Sequence, residues 1–364
     1  MNNKERLTAG FIGCGSIARI KHLPAAQKTG SIDCVAFYDL SEENARRMLE
    51  MANHPDARIY ASPDEIFEDA NIDLVYICVP NKYHAPLAIR ALDHKKHVVC
   101  EKPMACSYQD ALQMHQAAVR NRRVLYIAYQ NRFNDEVIYA KRLADEGALG
   151  SIYHAKAHAV RTMGIPTWGV FTNKDVQGGG ALIDIGTHSI DLVLYLTNNY
   201  EPLYVCGMTY DKIAKRGSCA NQWGDWDPSR MDVEDSSFAM IVMKNKMTIT
   251  VDVAWAMYTT DERMSSFSLY GDQAGIEMRE GLCLIKEIGG SICRATPRIA
   301  PPNSLMAPNK EMESSAVREA KAYTKAMLLN QWDTENGRNA MIVSKIIEGI
   351  YMSAEKGEPV MLAD

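Results

Sequence analysis

Several signals that assign proteins to common classes are missing from this sequence. Its nine cysteines are scattered and include no C-x-x-C pair, which argues against zinc or a disulfide framework. It has no basic run or basic–aromatic stripe, and its net charge of −5 disfavours binding to nucleic acid. No apolar run approaches a membrane span, and the polar, glycine-interrupted start is unlike a signal peptide. These absences predict a cytoplasmic protein that binds neither nucleic acid nor membrane.

The bulk composition and the order of apolar runs predict two domains. At 364 residues, with 47% hydrophobic and 23% charged residues, the chain exceeds a comfortable single core. From Leu7 to Ala128, near-continuous apolar runs alternate with helix-like segments around 16–29, 41–51, 82–94 and 107–121, as in a doubly wound parallel α/β sheet. Ser41 and Ser107 are placed as the N-caps of two of these helices. Beyond residue 130, runs such as 237–242 and 247–253 alternate polar and apolar residues, which indicates an antiparallel sheet. We predict a dinucleotide-binding domain over residues 1–129 and a substrate-binding, oligomerising domain over 130–364, and leave open that the last helices pack on the first domain.

A glycine-rich turn near the start predicts a dinucleotide site. In this turn a strand is followed by the pattern G-x-G-x-x-A and then a helix. The first glycine permits the tight turn, the second admits a pyrophosphate, and the small third residue lets helix and strand pack. The candidate binding residues in this turn are Gly13, Gly15, Ser16, Ile17 and Ala18.

Asp39 ends the next strand and is placed to accept hydrogen bonds from the ribose hydroxyls, the alternative being a helix-cap acid. Because no arginine directly follows Asp39, we predict NAD(H) rather than NADP(H).

Two further strings follow buried strands, at the sheet edge where open α/β sheets bind ligands. Pro80, Asn81 and His84 follow the strand that starts at Leu74 and are candidates for the adenosine or nicotinamide-ribose pocket, unless they are a cap and a surface histidine. Glu101-Lys102-Pro103 follows His97–Cys100, with a Lys–Pro bond that is a candidate for cis. A lysine beside a cofactor can hydrogen-bond the reacting hydroxyl of a substrate and favour its alkoxide form.

A later helix carries the second set of chemical groups. Asp184 and His188 are four residues apart, and Asp191 follows three later, so all three lie on neighbouring parts of one helical face. A neutral His188 suits the acceptance of an alcohol proton, while Asp184 holds a neighbouring hydroxyl and orients the ring. The alternative is a helix whose Asp and His are structural. Together with His154 or His158, these three side chains could in principle hold zinc or manganese. We predict no metal, because no further ligand has suitable spacing and Lys102 would repel a cation.

Taken together, these strings resemble the Gfo/Idh/MocA oxidoreductases over essentially the whole chain. The glycine turn matches the family's nucleotide turn, Glu101-Lys102-Pro103 its lysine motif, and the string from Gly178 to Asp191 its active-site helix. The resemblance implies a Rossmann domain followed by an α/β domain with a large, open, mainly antiparallel sheet that builds a homodimer or homotetramer. It also implies that Lys102 and His188 are the catalytic pair, with Asp184 binding substrate.

The same resemblance assigns further residues to the crevice. Asn131 and Arg132 lie in a crossover segment and would face cofactor and substrate, the alternative being a cap and a salt bridge. Glu101 belongs to the cofactor set through its motif, and Trp168 is similar to an aromatic near the nicotinamide or sugar, or is packing. Lys102, Asp184, His188, Asp191 and Arg132 would supply the polar contacts that a polyol needs.

Family substrates are mostly sugars, cyclitols and glycosides. Trp223 and Trp226 occur in a long polar loop and suggest an aromatic wall for a sugar face or an aglycone, unless they are buried in a subunit contact. We therefore expect oxidation of a glucoside at C3, for instance a plant O- or C-glucoside. Alternatives are an inositol dehydrogenase, a glycosidase that oxidises and restores its sugar through bound NAD, and a non-enzymatic NAD(H) sensor.

Overall fold

The computed structural model of the chain describes residues 5–216, 220–299, 313–332 and 335–362. The chain divides into two compact units. Unit 1 comprises residues 1–130 and 313–341, and unit 2 comprises residues 131–312 and 342–364.

Unit 1 is built on a six-stranded parallel sheet, as the near-continuous apolar runs predicted. Its strands are β1 (Leu7–Ile12), β2 (Ile32–Tyr38), β3 (Arg58–Ile59), β4 (Leu74–Ile77), β5 (His97–Cys100) and β6 (Leu125–Ile127). The order β3-β2-β1-β4-β5-β6 changes direction between β1 and β4. Doubly wound folds bind dinucleotides at this switch point, beyond the carboxyl ends of the strands. All four residues of β4 are buried, which explains why that strand reads as an unbroken apolar run.

Helices cover this sheet and begin where the sequence places their caps. They are α1 (Leu23–Thr29), α2 (Glu42–Ala52), α3 (Pro63–Glu68), α4 (His84–Asp93) and α5 (Tyr108–Asn121). The predicted N-caps are confirmed, because Ser41 accepts from the backbone N–H of Asn44 and Ser107 from that of Asp110. The expected continuous helix over residues 16–29 is instead interrupted by a π-helical turn, Ala18–His22.

Unit 2 contains a nine-stranded, mainly antiparallel sheet, which confirms the antiparallel sheet predicted for the second domain. Its strands are β7 (Ile152–Val160), β8 (Pro202–Tyr210), β9 (Ser236–Met243), β10 (Thr248–Ala254), β11 (Arg263–Gly271), β12 (Ala274–Met278), β13 (Leu282–Ile288), β14 (Ser291–Ala295) and β15 (Val360–Met361). The order is β14-β13-β12-β11-β7-β10-β9-β8-β15. Among the described strands of this second sheet, β7 and β10 form the one parallel pair.

The helices of unit 2 include the predicted active-site helix. They are α6 (Asp135–Asp145), α7 (Lys174–Gln177) and α8 (Thr187–Thr197), and a π-helical turn, Leu182–Gly186, leads directly into α8. Near the C-terminus, α9 (Ser315–Leu328) belongs to unit 1, and α10 (Glu335–Lys356) begins in unit 1 and ends in unit 2. Within the described ranges no helix is both long and apolar enough to cross a bilayer.

Candidate active site

The sheet of unit 1 brings most of the predicted cofactor residues to one edge. Gly13 follows β1, Asp39 follows β2, Asn81 follows β4 and Lys102 follows β5, so each lies just beyond the carboxyl end of a strand. Gly13 has a φ of +89°, and a Cβ there would lie 2.3 Å from the carbonyl oxygen of Cys78. The tight turn therefore requires glycine at this position.

The turn that follows Gly13 has the features of a dinucleotide cradle. A Cβ built on Gly15 would meet no atom within 4 Å, whereas Ala18 is fully buried against the sheet. Ser16 and Ile17 are exposed at the start of the helical segment. The open space over Gly15 and the helix start beside it fit a pyrophosphate, which backbone N–H groups would hold.

Asp39 braces this turn and keeps a polar group at its rim. Its carboxylate accepts from the backbone N–H of Cys14 at 2.7 Å and from that of Ser41 at 2.8 Å. Asn44 Nδ2 also donates to it, at 3.5 Å. The residue is half-buried, and a carboxylate with three bonds keeps a further lone-pair site for a ribose hydroxyl. Its contact with a ribose stays a prediction.

Glu101 lies at the centre of a buried charge network in unit 1. Its Oε1 accepts from Lys21 Nζ at 2.8 Å and lies 2.7 Å from His22 Nε2, and its Oε2 accepts from the backbone N–H of Lys102 at 3.0 Å. Burial raises the pKa of Glu101, but attraction to Lys21 and the bond with His22 outweigh burial and hold the pKa well below its usual range. Glu101 therefore fixes the Lys102 backbone. Its contact with the cofactor stays a prediction.

His84 supports the same segment from the other side. Its Nδ1 is 2.8 Å from the Pro103 carbonyl oxygen and its Nε2 is 2.8 Å from that of Val79. The Lys102–Pro103 peptide bond is cis. Because both ring nitrogens of His84 face carbonyls of unit 1, a contact with the cofactor would have to come from its ring carbons. Pro80 and Asn81 are half-buried beside it, at the turn 81–83.

In unit 2, Asp184 and His188 occupy a helical segment that differs from the one predicted. Asp184 lies in the π-helical turn and His188 in the first turn of α8, so the i→i+5 pattern changes their angular spacing from that of a uniform α-helix. The side chain of His188 is buried and that of Asp184 half-buried. The indole N–H of the fully buried Trp255 donates to Asp184 Oδ2 at 3.0 Å. This bond fixes the carboxylate's direction.

The buried carboxylate of Glu234, two residues before β9, holds the start of this segment. Glu234 accepts from the backbone N–H groups of Gly180 and Leu182, each at 2.9 Å, and from the hydroxyl of Tyr351 at 2.8 Å. A Cβ on Gly180 would lie 2.0 Å from the Glu234 carbonyl oxygen. Gly180 thus allows close packing of this segment against Glu234. A negative charge at the amino end of a helical segment is also favoured by the peptide dipoles.

Arg132 and Asp191, both predicted to contact substrate, form an ion pair with each other. Arg132 Nε donates to Asp191 Oδ2 at 2.8 Å, and its Nη2 donates to the other carboxylate oxygen. The Arg132 guanidinium also lies over the Tyr195 ring, 4.9 Å from its centroid. Burial raises the pKa of Asp191, and Arg132 opposes that effect. The salt bridge that the sequence offered as the alternative is therefore present, and a substrate contact for either residue stays a prediction. Asn131, in the turn Gln130–Phe133, is half-buried.

The tryptophans of the predicted wall and of its surroundings differ in exposure. Trp168 and Trp223 meet edge to face with ring centroids 4.9 Å apart, and both are exposed. Trp226, which the sequence placed in one wall with Trp223, is half-buried: its indole N–H donates to the Ala214 carbonyl at 2.7 Å and its ring packs against the core of unit 2. It also lines a surface cleft with Trp168, so its part in an aromatic wall stays a prediction.

Sequence reasoning missed three residues that shape unit 2, namely Arg161, Glu234 and Trp255. Each acts through a partner far away in the chain, so no local spacing signals it. Arg161 lies over the Trp223 ring at 4.8 Å and interacts electrostatically with Asp184. Among the described residues no group of three His, Cys, Asp or Glu is arranged to hold a metal.

Comparison with known proteins agrees with both folds. Residues 7–129 match the model for the GFO/IDH/MocA oxidoreductase family with its NAD-binding Rossmann fold, and residues 137–277 match a GFO/IDH/MocA C-terminal domain. NAD(H) is accordingly the cofactor, as the glycine turn and Asp39 predicted.

The chain is similar to several named enzymes. It is 29% identical over 356 residues to the D-glucoside 3-dehydrogenase of Escherichia coli, covering 98% of this chain and 97% of that one. It is 27% identical over 297 residues to the levoglucosan dehydrogenase of Pseudarthrobacter phenanthrenivorans, covering 75% and 73%.

Solved structures share the fold. Levoglucosan dehydrogenase in complex with NADH and levoglucosan superposes with a TM-score of 0.81 at 22% identity, covering 99% of this chain and all of that one. The aldose-aldose oxidoreductase of Caulobacter crescentus superposes with a TM-score of 0.79 at 24% identity, covering 98% and 99%.

Proposed function

Because the chain belongs to the GFO/IDH/MocA oxidoreductase family, we propose that it oxidises the C3 hydroxyl of a D-glucoside to a ketone, with NAD⁺ as the hydride acceptor. The observation that carries this proposal is the likeness to a D-glucoside 3-dehydrogenase along almost the entire length of both chains. The predicted groups Lys102, Asp184 and His188 are those that an alcohol oxidation needs.

The chemistry divides between the cofactor and the side chains. Bound NAD⁺ supplies the acceptor for the hydride that leaves C3. His188 takes the proton of the C3 hydroxyl, and Lys102 hydrogen-bonds the same oxygen and stabilises its alkoxide character. Asp184, held by Trp255, accepts a bond from a neighbouring sugar hydroxyl and so orients the ring. Glu101 supports this chemistry from behind, because it fixes the backbone of Lys102.

The proposal is tested by NADH formation from methyl β-D-glucoside, followed at about 340 nm, with the product identified as the 3-keto glucoside by NMR. We expect Lys102→Ala and His188→Ala each to lower kcat by about 10²–10⁴-fold while NAD⁺ affinity stays near normal. The double variant should lose little more than the worse single variant, because groups that act on one proton transfer are not additive.

Lys156→Ala and His154→Ala are matched controls, since both residues lie on β7, outside the proposed machinery. Both controls should keep wild-type turnover. Unchanged turnover in the Lys102 and His188 variants would remove the catalytic assignment. A kcat/KM higher for myo-inositol than for glucosides would indicate a cyclitol dehydrogenase, and release of the aglycone without net NADH would indicate the glycosidase alternative.

A further inference from the structure

Unit 2 presents an exposed aromatic surface that the reaction itself does not use. Trp168 is 51% exposed and Trp223 is 37% exposed, and their rings meet at 75°. Phe171 extends the surface, with its ring centroid 6.0 Å from that of Trp168. Indoles bury large apolar areas in most folded proteins, so two adjacent exposed indoles mark a binding surface. We name these three rings, with Arg161, the aromatic platform.

Hydrogen bonds hold the two loops of the platform to each other. The Asn221 side chain accepts from the Ile165 N–H and donates to the Ile165 carbonyl, each at 2.9 Å. The Thr167 hydroxyl donates to the Trp223 carbonyl at 2.8 Å. These bonds join the loop that carries Trp168 to the loop that carries Trp223. A preorganised surface loses little conformational entropy on binding, which favours recognition.

Arg161 connects the platform to the predicted substrate carboxylate. Its guanidinium lies 4.8 Å from the Trp223 ring centroid. Burial lowers the pKa of Arg161, and attraction to Asp184 and Glu262 opposes that effect. The backbone N–H of Arg161 donates to the Ala254 carbonyl, and the indole N–H of the next residue, Trp255, donates to Asp184 Oδ2. The platform therefore borders the carboxylate that we propose to hold the sugar.

We propose that the aromatic platform binds the aglycone of the glucoside, and that this aglycone is a planar, uncharged aromatic group. The inference rests on the proposed function, which places the sugar at Asp184. Flat rings stack on or against indoles, which accounts for the planar shape. The guanidinium of Arg161 interacts with the carboxylates of Asp184 and Glu262, and Arg230, in the cleft beside Trp168, is accompanied by Asp225 and Asp227. The described surroundings of the platform therefore do not favour an acidic group.

The test compares 4-nitrophenyl β-D-glucoside with methyl β-D-glucoside, by steady-state kinetics and by calorimetric binding to the NADH-loaded enzyme. We expect the wild type to favour the aryl glucoside about tenfold in kcat/KM and in affinity, as one good aromatic contact provides. In Trp223→Leu and in Trp168→Leu this ratio should fall toward one. Tyr153→Leu removes an aromatic that is 60% exposed elsewhere in unit 2 and should keep the wild-type ratio.

The two measurements separate failure of the platform from failure of the proposed function. Turnover of both glucosides with a wild-type ratio near one, or a ratio that survives in both tryptophan variants, overturns the platform. Tight aryl binding that is lost in Trp223→Leu, without turnover of either glucoside, supports the platform and contradicts the proposed function. Absence of aryl preference in calorimetry as well as in turnover contradicts the platform irrespective of the reaction.

Discussion

Removing one partner of the Arg132–Asp191 pair should destabilise unit 2 severely. The side chains of these two residues are 8% and 1% exposed, so either one alone would keep a charge away from water. Breaking a buried ion pair costs about 3–5 kcal/mol. The contact of Arg132 with the Tyr195 ring adds about 1–2 kcal/mol when desolvated. Arg132→Ala should therefore lower the free energy of unfolding by about 4–7 kcal/mol.

Two matched variants show whether this loss comes from the buried charge. Arg132→Met combined with Asp191→Leu replaces both charges by apolar groups and should recover most of the loss, because apolar replacement of a buried pair is often neutral. Lys215→Ala removes one partner of an exposed ion pair with Asp211 in the same unit and should cost about 0–1 kcal/mol.

Urea unfolding followed by tryptophan fluorescence is the appropriate assay. Four of the five tryptophans, at positions 168, 223, 226 and 255, lie in unit 2, so the signal reports mainly on that unit. The slope of free energy against urea should match between variants for the comparison to hold. A loss of less than about 1 kcal/mol in Arg132→Ala would show that the pair is hydrated in solution and refute the reasoning.

Three further predictions follow from unit 1 and the start of the active-site helix. Gly13→Ala should destabilise the fold, whereas Gly15→Ala should leave the melting temperature unchanged and weaken NADH binding in calorimetry, and equal effects of the two would contradict the cradle. Burial lowers the pKa of His97 to about 4, and its Nδ1 accepts from the Val124 N–H, so the unfolded chain takes up the proton first. Stability should fall as pH decreases from about 6.5 toward 4, by roughly 3 kcal/mol at most, and His97→Asn should flatten that dependence in urea titrations. Glu234→Gln should lower the free energy of unfolding by about 2 kcal/mol or more, because charged hydrogen bonds are replaced. A wild-type urea midpoint for that variant would contradict the anchoring role.

Local patterns predicted the elements that are determined locally. Near-continuous apolar runs identified the buried parallel strands, and the caps at Ser41 and Ser107 follow from side chains within one turn of the backbone they serve. The glycine turn was equally readable, since the steric demand at Gly13 arises from the tight turn itself.

Features that depend on distant partners could not be read in the same way. The bond from Trp255 to Asp184 and the bonds from Glu234 to Gly180 join residues more than fifty positions apart in the sequence. The two π-helical turns leave no residue signature, because they arise from one extra residue in the hydrogen-bond ladder. From the sequence, Arg132 could either face cofactor and substrate or form a salt bridge. The salt bridge became visible only with the position of its partner, Asp191, in the structure.

Isotope transfer tests the proposed reaction most directly. Methyl β-D-glucoside deuterated at C3 is incubated with the enzyme and NAD⁺, and the reduced cofactor is analysed by mass spectrometry. The account predicts NADH that carries one deuterium, and unlabelled NADH from the glucoside deuterated at C2. Deuterium transferred from C2, or NADH that stays unlabelled with the C3 substrate, would contradict hydride transfer from C3.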